Sequence, residues 1–167
     1  MKIALPDTSW LLARECCRLR EGHGLCLEDQ RRRLIGTAGE VAASIFLTGT
    51  DDAFRSTFRE RLSVDKGYET PDLEAFPDLE VKTVPHHLER PHFAIAAAGQ
   101  RDPKICDYLV LRCCDVNATA FEVLGWMPKG LLEQTFDACG GRFPSGSPRL
   151  PVDCLFPAIS CPWRIVA

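Results

Sequence analysis

The sequence predicts an α/β fold built on one central mixed β-sheet. Three features carry that expectation. Helical periodicity fills the first third of the chain, strand-like runs occupy the middle, and one further helical stretch precedes a short extended tail. Residues 7–20 (DTSWLLARECCRLR) predict a first helix, with Asp7, Thr8 or Ser9 as its cap and Glu15 on its polar side. Gly22 and Gly24 mark a loop over 21–26. Residues 27–48 set Leu34, Ile35, Ala38, Val41, Ala42, Ile45 and Phe46 at steps of three and four, the signature of one apolar helix face, and Gly49 is its natural stop. Residues 51–62 predict a short third helix.

The character then changes. Pro71 and Pro77 punctuate residues 64–84 into two short extended stretches, and Leu79, Val81, Thr83 and Val84 favour a strand. Residues 85–104 read mostly as loop, with a short ordered piece at 93–98. Residues 107–114 (DYLVLRCC) and 120–126 (AFEVLGW) are the clearest strands, and the turn Asp115 to Ala118 is short enough to pair them antiparallel. Residues 128–138 predict a helix with Pro128 at its start, 140–151 a Gly/Pro/Ser loop, and 160–167 an edge strand.

The chain has 167 residues, the size of a single domain with room for a real core. It is 46% hydrophobic and 26% charged, an ordinary globular composition. No apolar run is long enough to span a bilayer, which argues against a membrane partner. The first ten residues lack a basic stretch followed by an apolar core, so no signal peptide is expected. Nine cysteines with no C-x-x-C spacing point to reduced thiols packed as small hydrophobes in a cytoplasmic protein. Cys106, Cys139, Cys154 and Cys161 lack the clustered spacing of an iron–sulfur site, and His86, His87 and His92 lack a fourth ligand at zinc-site spacing. Loop histidines are usually exposed; His86 or His87, just past the strand at 79–84, is placed to touch a nucleic-acid phosphate. Trp126 and Trp163 read as core or sheet-edge packing. The net charge of −3 is not that of a strong non-specific nucleic-acid binder, although arginines cluster at Arg14, Arg18 and Arg20, at Arg31 to Arg33, and at Arg55, Arg59 and Arg61. Helix faces in solvent account for such clusters as readily as phosphate binding does.

The chemistry concentrates in Asp72 and the run Glu80-Val81-Lys82. Side chains alternate along a strand, so Glu80 and Lys82 share one face and Val81 turns to the core. If the stretch holding Asp72 folds back as a hairpin, its carboxylate meets Glu80. Two carboxylates there suit a hard cation bound through oxygen, with the Val81 carbonyl as a further ligand and Lys82 beside the attacking water or the phosphate charge. Glu-x-Lys alone is weak, since this composition yields about 0.3 matches by chance. Asp102-Pro103-Lys104 is a second match, but Pro103 breaks a central ladder. Glu40 adds a carboxylate on the small-residue helix stretch Gly36-Thr37-Ala38-Gly39, where two interior glycines suggest close approach of another backbone. A pairing of Glu40 with Arg32 or Arg33 on a solvent face is the plainer account of it.

Taken together, Gly39-Glu40 on a helix, Pro71-Asp72, Glu80-Val81-Lys82-Thr83 and the strand at 107–114 resemble the PD-(D/E)XK nuclease superfamily, in an arrangement similar to small archaeal Holliday-junction resolvases and to phage or prophage restriction-endonuclease-like proteins. The resemblance covers about residues 34–127 of a single domain, 1–167. It implies a restriction-endonuclease-like core of a mixed sheet flanked by helices, and Mg2+- or Mn2+-dependent cleavage of DNA. Carried over by position, Glu40, Asp72, Glu80 and the Val81 carbonyl would hold the metal, and Lys82 would be the catalytic lysine. An endonuclease of a phage, mobile element or defence system is implied, and a homodimer if both strands are cut. The alternative is a non-catalytic DNA-binding or regulatory protein with a nuclease fold.

Overall fold

Helix α1 (Asp7–Arg20) begins where Pro6 ends an extended lead-in, and the Trp10 N–H closes the first turn on the Pro6 carbonyl at 2.9 Å. It turns Ala13, Cys16 and Cys17 inward at the spacing of one helix face. Helix α2 (Leu27–Thr48) buries Ile35, Ala38, Val41, Ala42 and Phe46 in the same way. It stops at Gly49, whose φ of 82° only glycine adopts without penalty. The Gly49 N–H closes on the Ile45 carbonyl at 2.9 Å. Helix α3 (Asp52–Ser63) follows at once, held by Asp51, which grips Arg55 at 2.7 and 2.9 Å and accepts the Ser9 hydroxyl at 2.7 Å. The computed structural model describes residues 1–20, 27–63, 71–87, 92–94, 107–131, 141–142 and 148–165.

The strands are β1 (Lys2–Ala4), β2 (Leu79–Val84), β3 (His92–Ala94), β4 (Asp107–Cys113), β5 (Ala120–Pro128), β6 (Gly141–Arg142) and β7 (Pro148–Pro151). They make a four-stranded mixed sheet in the order β1-β5-β4-β2 and a three-stranded sheet in the order β3-β7-β6. In the larger sheet β2 runs parallel to β4, and the other neighbours are antiparallel. The molecule is therefore α/β, a mixed sheet flanked by helices.

Alternation along the strands sorts the core into two sides. Leu79, Val81, Leu109, Leu111, Phe121 and Val123 pack with the three helices. Val84, Tyr108, Val110 and Met127 face the other way and are covered by Leu150 of β7. A bulge between Val110 and Leu111 leaves Leu124 without a partner, and it turns Met127 to the opposite face from Val123 despite the even spacing. The β4–β5 turn is fixed by Asp115, whose carboxylate accepts the backbone N–H groups of Asn117, Thr119 and Ala120. Burial works to raise its pKa, but those three donors outweigh it and hold the carboxyl below its ordinary value.

The helices at 7–20 and 27–48 fall where the sequence places them. Four expectations are corrected. The region 140–151, read as loop, contributes β6 and β7. The helix expected from Pro128 starts one residue later: Pro128 ends β5 and residues 129–131 are helical; residues 132–138 lie outside the described part. The tail forms a short 3-10 turn at Ala158–Ser160 and no strand over 160–165. The edge pairing comes earlier, from Phe156, which bridges Trp126 through hydrogen bonds of 2.8 and 3.1 Å. The fourth concerns Asp72 and is taken up below. Among the described residues no helix is long and apolar enough to cross a membrane.

Candidate functional site

Strand β2 is the edge of the larger sheet, so one side of its backbone is free of ladder pairing. Residues 71–78 cover that side. They form a run of turns, not the predicted hairpin strand, because Leu73 and Phe76 are pulled into the core at 0% and 5% exposure. Phe76 is also met edge-on by Trp163, whose indole N–H reaches Asp107 at 2.6 Å. Helix α3 fastens the run from outside: the buried Thr57 hydroxyl accepts the Glu74 N–H at 2.6 Å, and Ser56 donates to the Glu74 carboxylate at 3.0 Å. Asp72 is thereby held against the strand, and its Oδ2 accepts the Val81 N–H at 2.7 Å. Neither the buried Thr57 nor the exposed Ser56 is marked out by the sequence.

Glu80 and Lys82 share a face of β2, as alternation requires, and both are half-buried. Lys82 donates from Nζ to Glu80 Oε1. Burial is the largest influence on this ammonium and pulls its pKa below the ordinary value of 10.5; the negative charges of Asp72 and Glu40 push the other way. The three carboxylates singled out by spacing thus act on the fourth residue, the lysine.

The charge of Glu40 acts on this lysine because α2 lies close to β2. Gly39 is buried against Thr83, and a Cβ at Gly39 would collide with Thr83 Oγ1. Each contact residue is the sequence neighbour of a site residue: Gly39 precedes Glu40, and Thr83 follows Lys82. This packing sets the approach of the helix carboxylate to the strand lysine. The sequence shows the glycine but not its partner.

The donors present are carboxylate oxygens, the kind that suits Mg2+ or Mn2+. In this arrangement Glu80 is engaged by Lys82 and Asp72 by Val81, and among the described residues no three His, Cys, Asp or Glu side chains stand as a ready ligand set. Cation binding would need the Glu80–Lys82 pair to open; the oxygen chemistry fits such an ion in kind.

The histidines are placed differently. His86 and His87 meet edge-to-face with ring centres 5.6 Å apart, two residues past β2. The side chain of His92 and the decoy Asp102-Pro103-Lys104 lie outside the described part. The six described cysteines are free thiols. Burial pushes Cys113, Cys114 and Cys161 up, away from the reactive thiolate form. Cys106 and Cys139 fall outside the described residues. Trp126 packs on Phe156 at 5.2 Å and Trp163 on Phe76, in keeping with sheet-edge packing. The chain matches no protein-family model, no curated protein and no solved structure.

Proposed function

We propose that this chain is a metal-dependent DNA nuclease of the PD-(D/E)XK kind, cutting phosphodiester bonds at the edge of the larger sheet. One observation carries the reading. A half-buried lysine on an edge strand pairs with Glu80 of β2 and feels the charges of Glu40 on α2 and Asp72 in the turn run, three carboxylates from three separate segments. Three carboxylates against one ammonium leave a net negative charge that a bound cation would offset.

Asp72, Glu80, the Val81 carbonyl and Glu40 would hold Mg2+ or Mn2+. The N–H and carbonyl of one strand residue point to the same side, so the N–H contact with Asp72 turns the Val81 carbonyl to the outer edge as well. When bound, such an ion lowers the pKa of water and offsets charge on a phosphate oxygen. Lys82, released from Glu80, would set its ammonium against the negative charge that builds on the phosphate. Its low proton affinity also suits it to trade a proton with the attacking water. A double-strand cut would call for two copies related by a two-fold axis.

A second reading draws on the same geometry. Asp72 caps an edge strand and Glu80 neutralises a half-buried lysine, so each has a structural task without catalysis. A DNA-binding protein with a silent site would look the same.

The two separate in a cleavage panel of linear, circular, single-stranded, flapped and four-way-junction DNA, run with Mg2+, Mn2+ or EDTA. The nuclease reading expects products with either metal and none in EDTA, and Glu80→Gln should abolish them. Binding without cleavage of any substrate by the folded protein would favour the silent module.

A further inference from the structure

The buried serines and threonines among the described residues are Ser9, Thr37, Ser44 and Thr57. Three of them serve helix α3 or its lead-in. Ser9 donates to Asp51 at 2.7 Å, the same carboxylate that grips Arg55. Ser44 of α2 donates to the Thr50 carbonyl at 2.9 Å and accepts the Phe54 N–H at 3.3 Å. Thr57 donates to the Ala53 carbonyl at 3.0 Å and accepts the Glu74 N–H at 2.6 Å. A hydroxyl is buried at a cost unless it is bonded, and here each one is spent on fixing where this short helix lies.

Position gives two of these bonds a further meaning. Ser44 stands about one helical turn after Glu40 on α2. Thr57 ties down Glu74, two residues after Asp72 in the same run of turns. Phe54 and Thr57 are three residues apart, so less than one turn of α3 joins the two anchors. The helix carboxylate and the turn carboxylate, both of which act on Lys82, therefore share one brace. Thr57 is suited to that task. Branching at Cβ restricts its rotamers, and the bond back to Ala53 aims its oxygen so that a lone pair meets Glu74.

We propose that Thr57 is a positioning residue for the cation site: with Ser44 it makes α3 a splint that sets the separation of Glu40 from Asp72. A cation held by oxygens of both segments needs that separation fixed, and the groups that stand behind metal ligands change affinity by about 10–100-fold when they are lost. The inference rests on the nuclease reading and names residues outside the quartet on which that same site depends.

The test compares the wild type with Thr57→Val, Thr57→Ser, Ser44→Ala and Ser9→Ala. Mn2+ binding is measured from the electron paramagnetic resonance signal of the free ion, beside thermal unfolding and Mg2+-dependent plasmid nicking. Valine keeps the branched shape without the oxygen, and serine keeps the oxygen. Thr57→Val and Ser44→Ala should each weaken Mn2+ binding at least about tenfold, while Thr57→Ser stays within about threefold of the wild type. Ser9→Ala also loses a buried hydroxyl but leaves Asp51 clamped by Arg55, so it should lower the unfolding midpoint and keep the wild-type Mn2+ affinity. Wild-type affinity in folded Thr57→Val, or an equal loss in Ser9→Ala, overturns the splint while leaving the nuclease reading intact. If Thr57→Val does not fold, wild-type affinity in Ser44→Ala or a tenfold loss in Thr57→Ser overturns it in the same way. A wild type that binds no Mn2+ and cuts no DNA overturns both.

Discussion

Lys82 sits under two opposed influences: burial disfavours its charge, while Asp72 and Glu40 favour it, and burial is the stronger. The sign of its effect on stability follows. With the folded-state pKa below the unfolded 10.5, the unfolded chain holds the extra proton in the window between the two values. Stability should then rise with pH across that window, the cost of burying the charge being fully present only below it. Urea unfolding at a series of pH values checks this. The wild type should gain stability relative to Lys82→Met as pH climbs through the window, and parallel profiles would remove burial as the dominant influence. At this scale much was legible beforehand. Alternation alone puts Glu80 and Lys82 on one face and Val81 in the core. The contact of Gly39 with Thr83 was not legible, because it joins residues far apart in sequence and no local pattern encodes it.

At the scale of elements, Asp72 has two separable roles. Its carboxylate satisfies the Val81 N–H on an unpaired strand edge, and it contributes charge beside Lys82. Asparagine keeps an oxygen acceptor but not the charge. Asp72→Asn should therefore unfold close to the wild type while losing metal-dependent cleavage. Asp72→Ala should lose cleavage and also about 1–3 kcal/mol, the cost of an orphaned buried donor. Equal destabilisation in both variants would mean that charge, not the backbone bond, holds the 71–78 run in place. The sequence separated Asp72 and Glu80 by a plausible turn but gave Asp72 a strand of its own. Leu73 and Phe76 explain the difference, since drawing both into the core leaves no extended stretch to pair. The long helices were readable because their apolar steps repeat over several turns. β7 was not: it is four residues long with Pro148 and Pro151 at its ends, yet it is the middle strand of its sheet, where proline is least expected.

For the molecule as a whole, order along the chain conveyed the layer plan. Helices first and strands after predict a sheet with helices packed on it, and α1, α2 and α3 share one core with the inner face of the β1-β5-β4-β2 sheet. The second sheet, which covers the other face, was missed because its strands come from segments rich in proline and glycine. β1 was missed because three residues carry too little pattern to read. The overall charge of −3 says little about the partner, since the carboxylates of the site and the arginines of α1 and α2 act locally. The account rests on the quartet acting as one catalytic unit, and nicking of supercoiled plasmid with Mg2+ by the wild type and by Lys82→Ala, at matched folded concentration, tests it most directly. Metal-dependent nicking should fall by at least about 10²–10³-fold in the variant. Cleavage that survives Lys82→Ala undiminished would place the chemistry elsewhere and contradict it.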